Sequence, residues 1–300
     1  MAGVLCVGIA TQDYVFGLRE MPTRAEKYRA NDLAVVGGGI AGNAAVAVAR
    51  LGGRAMIATR LGDDPVGRDI VSGLEAEGVD CSLARRHPGL RSSLSAVLVD
   101  AAGERIVINH ADVLPDDPSW LPARLPEGVT AVMADTRWEE GGLALLHSAR
   151  ASGGYGVLDV DRPPRLPGLT AAATHVAWAA QALREATGLA DPRAGLAAVA
   201  ADASNWIAVT DGANGVWFTE NGAMAHEPAF PIVPVDTLGA GDVFHGALAL
   251  GLAEGMGERA AVVFASATAA LKCTRFGGRA GTPTRAEVAD FMTRTPREKA

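Results

Sequence analysis

Two aspartates, Asp236 and Asp242, flank the glycine-rich turn Gly239-Ala240-Gly241 just before an apolar helical pattern. Because glycine has no Cβ, the backbone N–H groups of such a turn can converge on one point. At a helix N-terminus, these free donors and the helix dipole both favour a bound anion. A carboxylate in the first helical turn is either a helix cap or a base beside a bound phosphate. A cap requires neither Asp236 nor the glycines, so the stretch favours a base next to an anion hole.

A second glycine-rich stretch reads VGGGIAGNAAVAVARLGG and also precedes a helical pattern. Its Gly37, Gly39 and Gly42 satisfy GxGxxG, and Asp63 follows about twenty residues later, as in dinucleotide-binding folds. The first predicted strand ends near Ala10, however, whereas a dinucleotide site normally uses the first strand-to-helix turn. A dehydrogenase is therefore disfavoured. Taken alone, the stretch is a glycine-rich turn at a helix start.

Strand-like apolar runs alternate with alanine-rich helical stretches along most of the chain, which is the rhythm of a doubly wound α/β sheet. The predicted strands are Val4–Ala10, Arg54–Thr59, Val129–Ala134, Gly156–Val160, His175–Trp178 and Trp206–Thr210. The predicted helices are Ile40–Leu51, Val66–Glu77, Gly142–Ser152 and Ala194–Ala201. We therefore expect a mostly parallel sheet flanked by helices, with ligands beyond the carboxyl ends of the strands.

Two segments, at about residues 12–36 and 92–111, break this rhythm. The first lacks a helical period, and the second has two β-rich arms around Ala101-Ala102-Gly103, a predicted hairpin. We expect a single α/β domain over residues 1–300, with both segments forming a small β lid. An apolar lid face would need cover, which predicts a homodimer through the lid. The charged run Arg85-Arg86-His87 is predicted to be a solvated loop.

Charge and apolar content restrict the classes of partner. Hydrophobic residues make up 49% of the 300 residues, enough for a large core, and the formal net charge is −7. An acidic chain is a poor general nucleic-acid binder. No apolar run approaches the roughly 18 residues that span a bilayer, and the N-terminus resembles a first strand more than a secretory leader. The scattered Cys6, Cys81 and Cys273 predict reduced thiols in a cytoplasmic protein.

The heptapeptide DTLGAGD that ends at Asp242 resembles the C-terminal signature of the ribokinase-like (PfkB) carbohydrate kinases. This resemblance implies a ribokinase-like doubly wound fold with a β lid, acting on a small-molecule sugar. It implies that Asp242 takes the proton from the sugar hydroxyl. The amides of Gly239, Ala240 and Gly241 would form the anion hole for the transferred phosphoryl group.

The sugar and nucleotide sites follow from the same resemblance. Gly38-Gly39 and Asn43 match the N-terminal signature, in which the glycines let the sugar approach and the asparagine bonds its hydroxyls. Asp13 lies where the family places a carboxylate that grips the sugar, although a turn aspartate is an equal alternative. The nucleotide loop matches a segment that contains Thr210, Asp211, Gly212 and Gly215.

The cofactors implied by the resemblance are ATP and Mg²⁺, with a monovalent cation as a further expectation. Many members carry Asn-x-x-Glu before a Thr-Gly pair, where it organises Mg²⁺ and phosphates. Here the run before Thr187-Gly188 is Ala179-Ala180-Gln181-Ala182. The residues that would hold the metal are therefore left unassigned. In lacking Asn-x-x-Glu, the chain resembles the ketohexokinase branch of the family.

Several further stretches resemble the branch of the family that phosphorylates a sulfonated ketose, above all LKCTRFGGRAG at residues 271–281. In that branch, positions equivalent to Lys27, Asn109 and Arg137 clamp the sulfonate. We expect Lys27 and Asn109 on lid strands and Arg137 just past a sheet strand. One ammonium, one amide and one guanidinium suit a single negative charge on three oxygens. A ketohexokinase-like or other kinase of the same family acting on a neutral or phosphorylated sugar, and a non-catalytic sugar or nucleotide sensor, remain as alternatives.

Overall fold

The computed structural model describes residues 1–101, 104–201 and 203–295, without the side chain of Arg105. In chain order its strands are β1 (Gly3–Gly8), β2 (Thr11–Gly17), β3 (Asp32–Gly38), β4 (Arg54–Gly62), β5 (Asp80–His87), β6 (Leu94–Val99), β7 (Arg105–His110), β8 (Val129–Ala134), β9 (Tyr155–Val160), β10 (His175–Ala179), β11 (Trp206–Thr210), β12 (Val216–Glu220) and β13 (Ala223–Glu227). Its helices are α1 (Ile40–Arg50), α2 (Pro65–Ala76), α3 (Glu139–Ala151), α4 (Leu169–Ala172), α5 (Ala180–Thr187), α6 (Pro192–Ala200), α7 (Ala240–Ala253), α8 (Glu258–Cys273) and α9 (Arg285–Arg294).

The larger sheet has the strand order β13-β12-β11-β10-β9-β8-β1-β4-β5. Neighbouring strands from β11 to β5 are parallel, and β12 runs antiparallel to both of its neighbours, β11 and β13. Central strands such as β1 are buried along their whole length, because helices cover both faces of a parallel sheet. The predicted doubly wound sheet is confirmed.

Helices pack on the two faces of this sheet around two separate cores. One core joins α1, α2, α7 and α8, with Ala44 and Leu248 among its buried residues. The other joins α3, α5 and α6, with Leu146 and Leu183 among its buried residues. No helix in the described part of the chain is long and apolar enough to cross a membrane.

A second sheet, with the order β3-β2-β6-β7, forms the predicted lid. Successive side chains of a strand point to opposite faces, and paired residues share a face. The pairing therefore places Asp13, Ser95 and Asn109 in one row on one face of the lid. The opposite face is apolar and carries Tyr14, Phe16, Leu33, Val35, Leu98, Ile106 and Ile108.

Two local predictions are wrong. Arg85-Arg86-His87 is the end of strand β5, which pairs with β4 at the edge of the large sheet. Its charges belong to an edge strand, where charged side chains discourage pairing with another chain. Lys27 lies between β2 and β3 in a loop, not on a strand. The predicted hairpin turn at Ala102 and Gly103 lies outside the described residues.

A close contact between two helices brings the candidate site together. Gly246 on α7 lies so near α1 that an added Cβ would be 2.6 Å from the carbonyl oxygen of Ala44. This approach sets the N-terminal ends of the two helices side by side. The start of α1 lies just past the end of β1, since the Gly42 N–H donates to the Ile9 carbonyl at 3.3 Å, at the carboxyl edge that open α/β sheets use for ligands.

Candidate active site

The N-terminus of α7 is built as an anion site. Gly239 caps the helix in the left-handed region, with φ 77°. The Ala240 N–H donates to the Thr237 carbonyl at 3.2 Å, so it is already used by the turn. The N–H groups of Gly241 and Asp242 have no acceptor among the described residues, as the first turn of a helix dictates. A ligand anion would be met by these two donors.

Asp236 fixes the approach to this turn. Its Oδ1 accepts a hydrogen bond from the Leu238 N–H at 2.8 Å. Its Oδ2 accepts from the N–H groups of Gly277 at 3.0 Å and Gly278 at 2.8 Å. Asp236 thus ties the anion-hole turn to the segment after α8, a structural role that the sequence alone did not assign.

Asp242 is held by a chain of buried polar groups. Asn43 Nδ2 donates to Asp242 Oδ2 at 2.7 Å. Asn43 Oδ1 in turn accepts from Arg279 Nε at 3.0 Å, and Arg279 Nη2 donates to the Gly38 carbonyl at 2.8 Å. Arg279 is only 7% exposed. Since an arginine can only donate, it forces the Asn43 amide to present its NH₂ group to Asp242.

The glycines of the second stretch make room for this arrangement. A Cβ at Gly37 would overlap the Arg279 guanidinium, and one at Gly42 would lie 2.7 Å from its Nη2. A Cβ at Gly38 would overlap the Asp13 carboxylate. Gly39 has φ 84° and would meet the Ile9 backbone. The GxGxxG pattern therefore accommodates a buried arginine and a lid carboxylate, with the first strand ending well upstream at Gly8.

Replacing Arg279 with methionine is expected to lower kcat/KM for the sugar about tenfold, with the KM for ATP unchanged. The physical reason is that Asn43 loses its fixed orientation and no longer holds the Asp242 carboxylate; a hydrogen bond to a charged group contributes roughly 1.5–3 kcal/mol. Steady-state kinetics with both substrates varied, well below the melting temperature, would measure this. Arg285→Met, which breaks the surface pair with Glu254, is the matched control. A change of less than twofold in Arg279→Met would contradict the role.

Carboxylates surround Asp242 at the same edge of the sheet. Burial is the main reason that the pKa of Asp242 is raised to about 6, and the negative charges of Asp159 and Asp161 raise it further. The hydrogen bond from Asn43 and the charge of His245 act in the opposite direction and lower this pKa. His245 Nδ1 lies 2.8 Å from Asp159 Oδ2, with both side chains buried. Burial lowers the pKa of His245, but the Asp159 carboxylate raises it overall. Asp242 is thus poised near neutrality, as a general base requires.

The decrease in kcat/KM at low pH should follow the pKa of Asp242. A base works only when ionised, so activity should be nearly full at pH 7, half-maximal near pH 6 and lost as the pH falls below that value. With a pKa of about 6, we expect kcat/KM to fall about tenfold between pH 7 and pH 5. A pH profile of the wild type and of Asp242→Asn would measure it. An acid limb near pH 4, or one that persists in the variant, would contradict this assignment.

A cleft of about 570 Å³ runs from the β11 loop to the start of α7. Thr210, Gly212 and Gly215 line it, together with apolar residues such as Phe230 and Phe244. Gly215 has φ 86°, and a Cβ there would overlap the backbone of Glu227. The Asp211 carboxylate instead accepts from Asn214 Nδ2 at 2.9 Å and is not among the residues that line the cleft.

A second cleft, of about 630 Å³, lies between the lid and the approach to the anion-hole turn. Its lining includes the lid residues Val15, Val36 and Val97, on the face that carries Asp13 and Asn109. Asn109 Nδ2 already donates to Ser93 Oγ at 3.2 Å, Leu94 O at 3.1 Å and Ser95 Oγ at 3.3 Å. A ligand at Asn109 would have to share this donor. Lys27 is exposed in its loop.

Arg137 follows β8, as expected. Its guanidinium forms an ion pair with Asp161, and the Arg137 side chain keeps 34% of its surface exposed. The backbone N–H of Arg137 donates to Oδ1 of the buried Asp135 at 2.8 Å. The Asp161 carboxylate therefore already neutralises part of the charge of the Arg137 guanidinium.

The carboxylates at this edge do not form a preformed metal centre among the described residues. Within the residues that the structure describes, no group of three or more His, Cys, Asp or Glu side chains could hold a metal ion. Gln181, in the run that replaces Asn-x-x-Glu, donates to Glu185 at 3.0 Å on the helix surface. Mg²⁺ commonly keeps several waters and uses one or two carboxylates plus substrate phosphates. The donor set therefore fits a metal that arrives with a nucleotide.

Comparison with known proteins agrees with this geometry. The family model described as pfkB family carbohydrate kinase matches residues 1–285. A ribokinase from Bacillus subtilis (strain 168) is 27% identical over 297 residues, covering 98% of this chain and 100% of the relative. A fructokinase from Klebsiella pneumoniae is 32% identical over 235 residues, 72% of this chain and 76% of the relative.

Solved structures give the same result. A ribokinase candidate from Agrobacterium tumefaciens superposes with a TM-score of 0.88 at 38% identity, over 98% of each chain. Arabidopsis thaliana ribokinase complexed with ribose and ATP superposes with a TM-score of 0.83 at 22% identity, over 97% of this chain and 99% of the other. The second likeness concerns the fold alone.

Proposed function

This chain belongs to the pfkB family of carbohydrate kinases, and we propose that it transfers the γ-phosphoryl group of MgATP to the C1 hydroxyl of 6-deoxy-6-sulfofructose. The observation that carries the kinase part is the position of Asp242. The preceding residues Ala240 and Gly241 line the cleft that also contains the β11-loop glycines. On the other side, Asp242 bonds Asn43, which follows shortly after the Gly38 that packs against the lid carboxylate Asp13. A base at that junction reaches both a sugar hydroxyl and a bound phosphate.

Each site residue then has one task. Asp242 removes the hydroxyl proton, and Asp13 with the Gly38-Gly39 backbone receives the sugar. The N–H groups of Gly241 and Asp242 stabilise the charge that develops on the transferred group, since phosphoryl transfer depends mostly on positioning and electrostatics. Asn43 holds Asp242 and keeps a second amide N–H for a sugar hydroxyl, because each end of its amide makes one of the two hydrogen bonds that it can make.

The nucleotide site uses the cleft between the β11 loop and α8. Thr210, Gly212 and Gly215 let the nucleotide lie against the backbone, and Asp211 shapes the loop through Asn214. The Arabidopsis ribokinase structure contains ATP, which supports ATP as the donor here. Mg²⁺ neutralises phosphate charge when bound.

A sulfonated ketose is proposed because Lys27, Asn109 and Arg137 are filled as in sulfofructose kinases, inside locally similar stretches. Asn109 shares its lid row with Asp13, so one sugar could contact both. Lys27 belongs to the loop beside the same sheet. Arg137 keeps enough exposed surface to meet a ligand. Together, an ammonium, an amide and a guanidinium could bind a single anionic group.

A kinase for neutral fructose or ribose is the second candidate. Two observations favour it: the Arg137 guanidinium is already paired with Asp161, and the relatives named above are a ribokinase and a fructokinase. A neutral sugar would leave that ion pair intact. Both candidates are sugar kinases, and they differ only in the sugar that they phosphorylate.

We further propose that the apolar outer face of the lid is covered by a second copy of the chain. Leu33, Val35, Ile106 and Ile108 are 54%, 52%, 44% and 60% exposed on that face. An apolar patch of this kind usually marks an interface. A twofold dimer would place this face of one copy against the same face of the other.

Replacing Ile108 with aspartate should convert a dimer into a monomer, because each copy would bury a charge at the lid face. Sedimentation velocity at micromolar concentration would measure the change. Val113→Asp, at a residue that is 91% exposed outside the lid strands, is the control and should leave the dimer intact. A monomeric wild type would contradict the proposal.

The product tests the proposed reaction. After incubation with MgATP and 6-deoxy-6-sulfofructose, phosphorus NMR should show a phosphate ester coupled to the C1 protons, together with ADP. Parallel reactions with fructose and ribose identify the second candidate. An ester at another carbon, or ATP hydrolysis without any sugar ester, would contradict the assignment.

A further inference from the structure

Lys272 is a fully buried ionisable side chain near the candidate site. It lies one residue before the end of α8, and its exposed fraction is 0%. Its ammonium donates to the Asp236 carbonyl at 2.8 Å and lies 3.7 Å from Asp236 Oδ2. A fully buried lysine is rare unless it is paired. A function beyond packing is therefore worth seeking.

The ammonium sits at a junction of three segments. Asp236 begins the approach to the anion-hole turn and also accepts from the Gly277 and Gly278 N–H groups. The backbone N–H groups of Val235 and Asp236 donate to the Cys273 carbonyl at 2.7 Å and 3.1 Å. Lys272 thus joins the end of α8, the turn after it and the segment that leads into Gly239.

Opposing influences act on the pKa values of both members of the pair. Desolvation opposes the charge on Asp236, but the Gly278 and Leu238 N–H groups and the Lys272 ammonium lower its pKa overall. Burial lowers the pKa of Lys272, while Asp236, Cys273 and Asp242 act to raise it. The Lys272 Nζ therefore faces the carbonyl and carboxylate oxygens of Asp236 inside the fold.

We propose that the Lys272 ammonium is a built-in monovalent cation that positions the anion-hole turn, so that the enzyme needs no added potassium or similar ion. This inference rests on the proposed kinase function and deepens it. A carbonyl oxygen next to a carboxylate is the donor set that a monovalent cation would use, and here an ammonium holds it. A second cation at the same oxygens would be repelled at close range. The monovalent cation expected from the sequence is thereby supplied by the chain.

The wild-type enzyme provides the first test. ADP release is measured in a tetramethylammonium buffer with KCl, NaCl or NH₄Cl added at constant ionic strength. We expect kcat to change by less than twofold among these salts. Activation of fivefold or more by one small cation would overturn the proposal. This measurement does not depend on the folding of any variant.

Truncation provides the second test. Lys272→Ala should lower kcat about tenfold or more, and ammonium, methylammonium or potassium should restore at least a third of the loss on a logarithmic scale. Lys272→Met keeps the volume but lacks the charge, so it should be slow and gain nothing from these ions. A folded Lys272→Ala with wild-type kcat, or with a loss that no cation restores, would overturn the role, because a merely structural lysine would not respond to ions.

Failure of the substrate proposal can be told apart from failure of this inference. The salt series is run with whichever sugar releases ADP, so a wrong sugar leaves the cation test intact. If no sugar is phosphorylated, the proposed function fails. ADP affinity measured by calorimetry then replaces turnover. It should be insensitive to KCl in the wild type and sensitive in Lys272→Ala, and potassium-dependent binding by the wild type would overturn the inference.

Discussion

Replacing Asp242 with asparagine is expected to lower kcat by about 10²–10⁴, the usual effect of removing a general base. The Oδ1 of asparagine can still accept from Asn43, so the local geometry should survive. Sugar and ATP binding should be largely retained, because the carboxylate acts in the transition state. Coupled ADP-release kinetics and calorimetric binding of both substrates would measure the two effects separately.

Asp211→Asn is the control for this change. Asp211 also follows a strand and lies near the nucleotide loop, but its carboxylate bonds Asn214 and reaches no reacting atom in the proposed site. Its kcat should fall by no more than about fivefold, since removing one exposed hydrogen bond perturbs a loop by about 1 kcal/mol or less. An Asp242→Asn enzyme with nearly full kcat would rule out the base.

Replacing Arg137 with alanine is expected to lower kcat/KM for 6-deoxy-6-sulfofructose about ten- to a hundredfold while leaving fructose almost unchanged. A hydrogen bond to a charged group contributes roughly 1.5–3 kcal/mol, and only the sulfonated sugar uses it. The Asp161 carboxylate, freed from its partner, would also repel the sulfonate. Kinetics on the two sugars, wild type against variant, would measure the selectivity.

Arg165→Ala is the matched control, because Arg165 is an exposed arginine in the loop that follows β9. It should affect neither sugar by more than about twofold, as expected of an exposed charge. Equal losses on both sugars in Arg137→Ala would show that Arg137 is structural, through its pair with Asp161, and would favour the neutral-sugar candidate.

The sequence predicted those parts of the site that a short stretch encodes. Asp242 and the turn before it were found because glycines, a carboxylate and a helix start lie within seven residues. The lid was found because its β-rich segments interrupt the α/β alternation. Its two faces follow from the alternation of side chains along each strand, once the register is known.

Contacts between distant segments could not be predicted in this way. Arg279 and Asn43 are separated by 236 residues and meet only because α1, α7 and the segment after α8 converge. Lys272 looks like an ordinary lysine in a helical pattern, and nothing local signals that its side chain is buried. Strand β5 was missed because its charges resemble those of a loop, although an edge strand carries them for a physical reason.

The ratio of kcat/KM values for 6-deoxy-6-sulfofructose and for fructose, fructose 6-phosphate and ribose tests the central claim most directly. One coupled ADP-release assay at saturating MgATP gives all four values. The account predicts that the sulfonated ketose exceeds each of the others at least tenfold, the contribution of about one charged hydrogen bond. A higher value for fructose 6-phosphate, fructose or ribose would contradict the assignment of the substrate.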